Sequence, residues 1–379
     1  MRSKLPSTGT TIFSVMSALA AEHRAINLGQ GFPGFPVDPM LIDAAAKAMR
    51  DGYNQYAPMP GLLLLREKLA EKINRAYLRT VNPDTDITIT AGATQAIFTA
   101  LSAFIHPGDE VILFAPAYDC YAPAIALNGG VPVWISLEWP DFRIPWDEVE
   151  RKISSRTRVI LLNNPSNPSA TIWKSSDMLR LLTITAETDI LLLSDEVYEH
   201  IVFDGQPHES VLKYAELAAR SISVYSFGKT FHATGWKTGY AVAPEHLMTE
   251  FRKVHQYNVF SCNTPIQYAL TSYLDDAAHY DGLSAFYQRK RDLFLACLSA
   301  SSFAWKAAEG TYFQLLNYSG IMDSPDRVIA EQLTRELGVA SIPVSCFYPD
   351  DNDQHVLRFC FAKEDHELEE AANRLNQLT

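Results

Sequence analysis

The chain has 379 residues, 47% of them hydrophobic and 20% charged, with no low-complexity tract. That length favours two or three lobes over one small core, and the balance argues against disorder beyond the first few residues. The formal net charge of -12, from 32 basic against 44 acidic residues, comes with no local lysine and arginine cluster, so nucleic acid is not an expected partner. No apolar run approaches the roughly 20 residues that a membrane span needs, and residues 1–6 lack the apolar core of a signal peptide, so the expectation is a soluble, cytoplasmic protein without a membrane partner.

In chain order, the stretch up to about Met40 carries Gly29, Gly31, Pro33, Gly34, Pro36 and Pro39, too many breakers for a core helix, and reads as an arm or crossing loop. From about residue 85 to residue 245, short apolar β-rich runs at 86–90, 110–114, 131–135, 158–162, 189–193, 222–225 and 240–243 alternate with stretches of helical length. Helices are clearest at 94–105 and 175–186. The alternation predicts an α/β fold with a mainly parallel sheet flanked by helices, whose ligands bind at the carboxyl ends of the strands. Helical periodicity dominates from Pro244 to about Leu298, and shorter strands and helices follow to the end. The expected division is an arm and part of a small domain at 1–45, a large domain at 46–284 and a small α+β domain at 285–379. Five cysteines at wide, irregular spacings read as reduced thiols, and no Cys/His spacing supports a metal site.

The chemistry concentrates at strand ends. Lys229 lies in Ser226-Phe227-Gly228-Lys229-Thr230, with Lys237 eight residues on. An amine that can form an imine, near hydroxyls and a second cation, suits an aldehyde cofactor bearing a phosphate, of which pyridoxal phosphate is the obvious candidate. Taken alone, the segment reads equally well as a solvated surface charge. Asp195, heading Asp195-Glu196-Val197-Tyr198 after the apolar run 190–193, sets a carboxylate where a protonated pyridine nitrogen would be its partner; a helix cap is the simpler alternative. Asn164-Pro165-Ser166-Asn167-Pro168 forces an extended turn that leaves the Asn167 amide free to donate, although by itself it is also an ordinary loop. Gly92-Ala93-Thr94-Gln95 joins a strand to a helix, where backbone N–H groups cradle an anion.

These pieces, in this order, resemble the pyridoxal-phosphate aminotransferases of fold type I, class I/II. The similarity runs from about Asn27 to Lys363. Asn27-Leu28-Gly29-Gln30-Gly31-Phe32-Pro33, Asn54-Gln55-Tyr56, Tyr118-Asp119-Cys120-Tyr121, Gly235-Trp236-Lys237 and Arg358-Phe359-Cys360-Phe361 are phrased as in the methionine and kynurenine aminotransferase branch. The resemblance implies Lys229 as the Schiff-base lysine, with Asp195 on the pyridine nitrogen and Asn167 and Tyr198 donating to the ring oxygen. It places Tyr118 on the ring face and Ala93, Thr94, Ser226 and Lys237 around the phosphate, which Tyr56 reaches from the other subunit of a homodimer. Arg358 clamps the substrate carboxylate, as the planar fork of a guanidinium can. Gly31, Phe13 and Phe260 complete the substrate pocket, although both phenylalanines read equally well as ordinary core. Two departures stand out: Ser169-Ala170 replaces the common Thr-Gly after the second Asn-Pro, and Lys237 stands where many relatives have arginine.

The implied reaction is ping-pong transamination between an amino acid and a 2-oxo acid. The amino acid is apolar or aromatic: methionine first, with phenylalanine, tyrosine, tryptophan and kynurenine as alternatives. A cysteine-S-conjugate β-lyase uses the same chemistry. A non-catalytic cofactor-binding regulator would need a DNA-binding module, for which the chain has no spare segment ahead of its first motif.

Overall fold

The computed structural model of the protein describes residues 3–6 and 8–378. The seven β-rich runs become one sheet: β1 (Ile87–Thr90), β2 (Glu110–Ala115), β3 (Val131–Ser136), β4 (Thr157–Asn163), β5 (Leu191–Asp195), β6 (Ser221–Ser226) and β7 (Gly239–Val242). Their spatial order is β1-β7-β6-β5-β4-β2-β3. Only β7 runs against its neighbours, so β1 to β6 all point the same way.

The central strands are apolar on both faces because helices cover both. Successive side chains alternate across the sheet. Val111, Leu113, Val159, Leu161, Leu193 and Val224 pack under helices Ala93–Phe104 and Glu245–Asn258, through Ile97, Leu101 and Phe251. Ile112, Ile160, Leu162 and Leu192 face the other way, onto Met178 and Leu181 of helix Ser175–Thr185. At the sheet edge, β3 is mostly half-buried or exposed.

Beyond this sheet, β8 (Phe313–Asn317), β9 (Ile342–Pro343) and β10 (Val356–Cys360) form a three-stranded antiparallel sheet with β10 in the middle. Ile26–Asn27 pairs in parallel with Val339–Ala340, which fastens the start of the chain to its C-terminal part. Ahead of that pair the structure differs from the expected arm, since Ile12–His23 is a helix that buries Met16, Leu19 and Ala20. After Gly9 the breakers resume only at Gly29. Residues 12–23 contain none, Thr11 caps the helix by accepting from the Ser14 N–H at 3.3 Å, and Arg24 ends it at φ 53°. Ala170 is also held in the left-handed region at φ 58°, with its carbonyl accepting from the Glu309 and Gly310 N–H groups.

The segment after β5 is anchored from behind. The Glu196 carboxylate accepts from Ser194 Oγ at 2.8 Å, Tyr225 Oη at 3.1 Å and the Val211 N–H at 3.2 Å. Glu199 pairs with Lys72 Nζ and accepts from Tyr77 Oη at 2.6 Å, and all three groups are withdrawn from solvent. Burial, the largest single influence, would raise the Glu199 pKa, but the Lys72 charge, His200 and the hydrogen bonds from Lys72 and Tyr77 together outweigh it and hold the carboxyl below its usual range. Removing one member of such a pair leaves the other charged and unpartnered. Lys72→Met should therefore lower stability by about 3–5 kcal/mol, read as a fall in the urea midpoint, and adding Glu199→Gln should recover part of the loss.

Candidate active site

Because β1 to β6 are parallel, their carboxyl ends share one edge, and the start of antiparallel β7 joins them there. The register makes the row explicit. Asn163 pairs with Asp195, Asp195 with Val224, Ser226 with Gly239 and Gly239 with Thr90. The loops leaving this row carry Gly92–Thr94, Tyr118, Asn167, Tyr198, Lys229 and Lys237. All of them line one cavity of about 140 Å³, together with Asp195 and Ser226.

One end of the cavity suits an anion. Gly92 has φ +81°, and a Cβ there would stand 3.6 Å from Lys237 Nζ, so the ammonium lies beside the N-terminus of helix Ala93–Phe104. Ser226, Thr234 and Thr238 add hydroxyl-bearing residues around it. A Cβ on Gly239 would come within 2.4 Å of the Tyr225 carbonyl oxygen, so only glycine lets β7 begin this close to β6. N–H groups, hydroxyls and an ammonium make a phosphate cradle.

Another part of the lining suits a cation. Asp195 is buried, and its carboxylate accepts from Tyr121 Oη at 2.6 Å and the Val197 N–H at 3.3 Å, both neutral donors. Burial raises its pKa from 3.8 to about 6, against the pull of the Tyr121 hydrogen bond. Lys229 lines the same cavity. Its Nζ donates to the Gly31 carbonyl at 3.0 Å and to Tyr312 Oη at 2.9 Å, and burial first, with Arg358 and Lys237 adding to it, brings its pKa down to about 8. Tyr198 is buried and stands edge-on to Tyr312, and burial pushes its phenol well up. Tyr118 faces the cavity and meets Tyr121 edge to face at 5.8 Å.

Arg358, in the middle strand β10, is 1% exposed. Its Nη1 donates to Asn167 Oδ1 at 2.6 Å and its Nη2 to the Gly29 carbonyl at 3.0 Å, while Nε has no partner. The guanidinium lies 4.0 Å from the Phe313 ring centre and 5.3 Å from that of Phe13. A buried cation with an unsatisfied donor is a ready receptor for a carboxylate. The Asn167 N–H donates to Asn163 Oδ1 at 2.7 Å, which fixes the turn that presents its side chain.

Thus Ala93, Thr94, Tyr118, Asn167, Asp195, Tyr198, Ser226, Lys229 and Lys237 come together around the cavity, and Gly31, Phe13 and Arg358 adjoin it through hydrogen bonds and ring contacts. Tyr56 and Phe260 do not. They pack against each other at 5.2 Å on the surface, Tyr56 80% exposed, and neither reaches the cavity within this chain. Tyr121, Asn163 and Tyr312 are site residues that motif reading passed over. Tyr121 was within reach, since it follows Tyr118 by three residues at the start of helix Tyr121–Leu127. A larger cavity of about 400 Å³ shares Tyr121, Asn163 and Asn167 as a wall but contains neither Lys229 nor Asp195.

Residues 23–375 match the aminotransferase class I and II family, and the chain belongs to it. It is 49% identical to the methionine aminotransferase of Escherichia coli strain K12, over all of this chain and 98% of the relative. It is 30% identical to human kynurenine–oxoglutarate transaminase 1, over 95% of this chain and 93% of that one. Among solved structures, Escherichia coli YbdL, whose structure and reactivity identified a methionine aminotransferase function, superposes with a TM-score of 0.98 at 48% identity, covering 100% of this chain and 99% of that chain. A Thermus thermophilus aspartate aminotransferase mutant gives 0.91 at 29%, covering 100% of both chains. The protein is a pyridoxal-phosphate-dependent aminotransferase with the fold type I architecture, and the phosphate cradle, the uncompensated Asp195 and the Lys229 amine fit that cofactor.

The raised Asp195 pKa has a thermodynamic consequence. A carboxyl that binds its proton more tightly in the folded than in the unfolded state costs stability as pH rises from about 4 to about 6, and the full cost persists above that range. In the cofactor-free protein the displacement is worth about 3 kcal/mol. Asp195→Asn should therefore raise the urea midpoint of cofactor-free protein at neutral pH, with the gain vanishing below about pH 4, while weakening retention of the cofactor.

Proposed function

We propose that this enzyme moves the amino group of an apolar amino acid, methionine foremost, to a 2-oxo acid by a ping-pong reaction. The observation that carries the reading is the half-buried Lys229, whose amine faces the cavity that Asp195 also lines, with the unfilled donor of Arg358 adjoining through Asn167. When bound, pyridoxal 5'-phosphate supplies an aldehyde for the amine to capture and a protonated ring that draws electrons from the substrate Cα.

The protein's own groups do the rest. Asp195 would keep a positive charge at the ring nitrogen, and the Asn167 amide and Tyr198 hydroxyl would donate to the ring oxygen. Tyr118 would cover the ring. Ala93, Thr94, Ser226 and Lys237 would hold the phosphate, with Lys237 acting as a point charge in place of a fork. Arg358 grips the substrate carboxylate and fixes which bond at Cα is presented. Lys229 Nζ, brought toward neutrality by burial, takes the Cα proton, so one residue serves as tether and general base.

Methionine as donor is supported by the 49% identical relative of that name. Phe13, Phe313 and Phe347 stand around the guanidinium, walls that favour an apolar side chain over a second carboxylate. Phenylalanine, tyrosine, tryptophan and kynurenine remain in range, since a hydrophobic pocket separates similar side chains by only about 1–3 kcal/mol. Exposed Tyr56, with Met49, Tyr53, Tyr257 and Phe260 also bare, supports a homodimer in which Tyr56 and Phe260 complete the partner's site. We place the division of the chain at 1–45, 46–284 and 285–379, consistent with a separate sheet of β8 to β10. The five cysteines are free thiols, and among the described residues no helix is long and apolar enough to cross a membrane. Free thiols accord with a cytoplasmic enzyme.

Adding methionine without an oxo acid should shift the visible absorption band of the purified protein; a colourless protein that takes up no pyridoxal phosphate refutes the reading. Lys229→Ala should lower kcat by at least roughly 10²–10⁴-fold while the phosphate cradle still retains cofactor, as measured by turnover and absorbance after gel filtration. Arg358→Ala should lower kcat/KM for methionine by roughly 10–100-fold, the worth of a charge-assisted pair.

A further inference from the structure

We propose that Tyr312 is a positioning residue for the reaction: together with the Gly31 carbonyl it forms a cradle behind Lys229 that holds the free amine at a fixed angle to the substrate. The inference rests on the assignment of Lys229 as the reacting amine and extends it to Tyr312, which no motif singled out.

The geometry is a closed triangle of hydrogen bonds. Lys229 Nζ donates to Gly31 O at 3.0 Å and to Tyr312 Oη at 2.9 Å, and Tyr312 Oη donates to the same Gly31 oxygen at 2.8 Å. A neutral amine has two N–H groups and one lone pair. Both N–H groups are engaged here, on partners that do not line the cavity, which leaves the lone pair as the free position. A lysine on a four-carbon stem would otherwise sample several rotamers, and a base must stand within hydrogen-bond reach of the proton it takes.

Tyr312 is itself immobilised. It is fully buried on the short approach to β8, with its ring 5.1 Å from Tyr198, 5.6 Å from Tyr287 and 4.9 Å from Phe313. The other arm of the cradle is equally constrained, because a Cβ on Gly31 would come within 2.9 Å of Phe313 Cζ. The backbone at Gly31 lies tight against that ring, and the carbonyl is presented by the N-terminal segment while the hydroxyl comes from the C-terminal part. Lys229 is thus held by two segments remote in sequence from its own loop.

Tyr312→Phe removes the hydroxyl and keeps the ring. In the holoenzyme with excess methionine and no oxo acid, Lys229 is free, and its neutral fraction can be followed as the rate of carbamylation by cyanate, read by mass spectrometry of the Lys229 peptide across pH. An acceptor stabilises the ammonium more than the amine, so its loss should move the midpoint of that profile about one unit to lower pH. kcat should fall roughly tenfold, with KM for methionine held within about twofold, as expected for lost orientation rather than lost binding. An unchanged cyanate profile in Tyr312→Phe with a native circular dichroism spectrum overturns the proposal, whatever happens to kcat. A wild-type protein whose visible band ignores methionine overturns the cofactor assignment with it, whereas a responsive wild type with an unchanged variant overturns this inference alone.

Discussion

A carboxylate buried without a cation is the constraint around which this structure is organised. Asp195 ends a central strand, and only neutral donors reach it, so the fold carries an electrostatic deficit that a cationic ligand removes. The loops at that edge can be understood as answers to it. Tyr121 offers one short hydrogen bond, and Glu196 and Glu199 anchor the chain beyond Asp195 from the opposite side. The anion cradle at Gly92 and Lys237 lines the same cavity. Cofactor binding and folding are therefore thermodynamically linked, since a ligand that binds only the folded state stabilises it by mass action.

Arg358 poses the same problem with the sign reversed. Its charge is buried in the middle strand of the smaller sheet, surrounded by aromatic rings and held by Asn167 and the Gly29 carbonyl, which leaves Nε unpaired. The two deficits belong to different parts of the chain, and Asn167 connects them: its turn follows β4, beside Asp195, and its side chain accepts from Arg358. A single amide thereby joins the cavity that Asp195 lines to the guanidinium in the smaller sheet.

Much of this was legible in the sequence because parallel strands buried on both faces are written as unbroken apolar runs, and because the loops at their ends carry their polar residues in short motifs. Lys229, Asp195, Asn167 and Lys237 each stand in a short motif, and it was the motifs in combination, none of them alone, that pointed to the site. The helix at 12–23 was missed because breakers crowded at 29–39 coloured the whole N-terminal stretch, although they act only locally. Tyr312 and Lys72 left no local signature. Tyr312 meets Lys229 across 83 residues, and Lys72 meets Glu199 across 127. Such contacts arise from tertiary packing alone. Tyr56 and Phe260 mark another boundary, since their surroundings within one chain are solvent and each other.

The reversal of β7 reaches further than strand order. Since Ser226 and Gly239 are register partners, the residues between them form a closed excursion whose two ends are pinned side by side. Lys229 and Lys237 both ride on it. An insertion or deletion inside that loop could not be absorbed at one lysine without displacing the other, so the two lysines have to evolve as a single mechanical part. Loops that leave one strand and cross to another through a helix carry no such restriction.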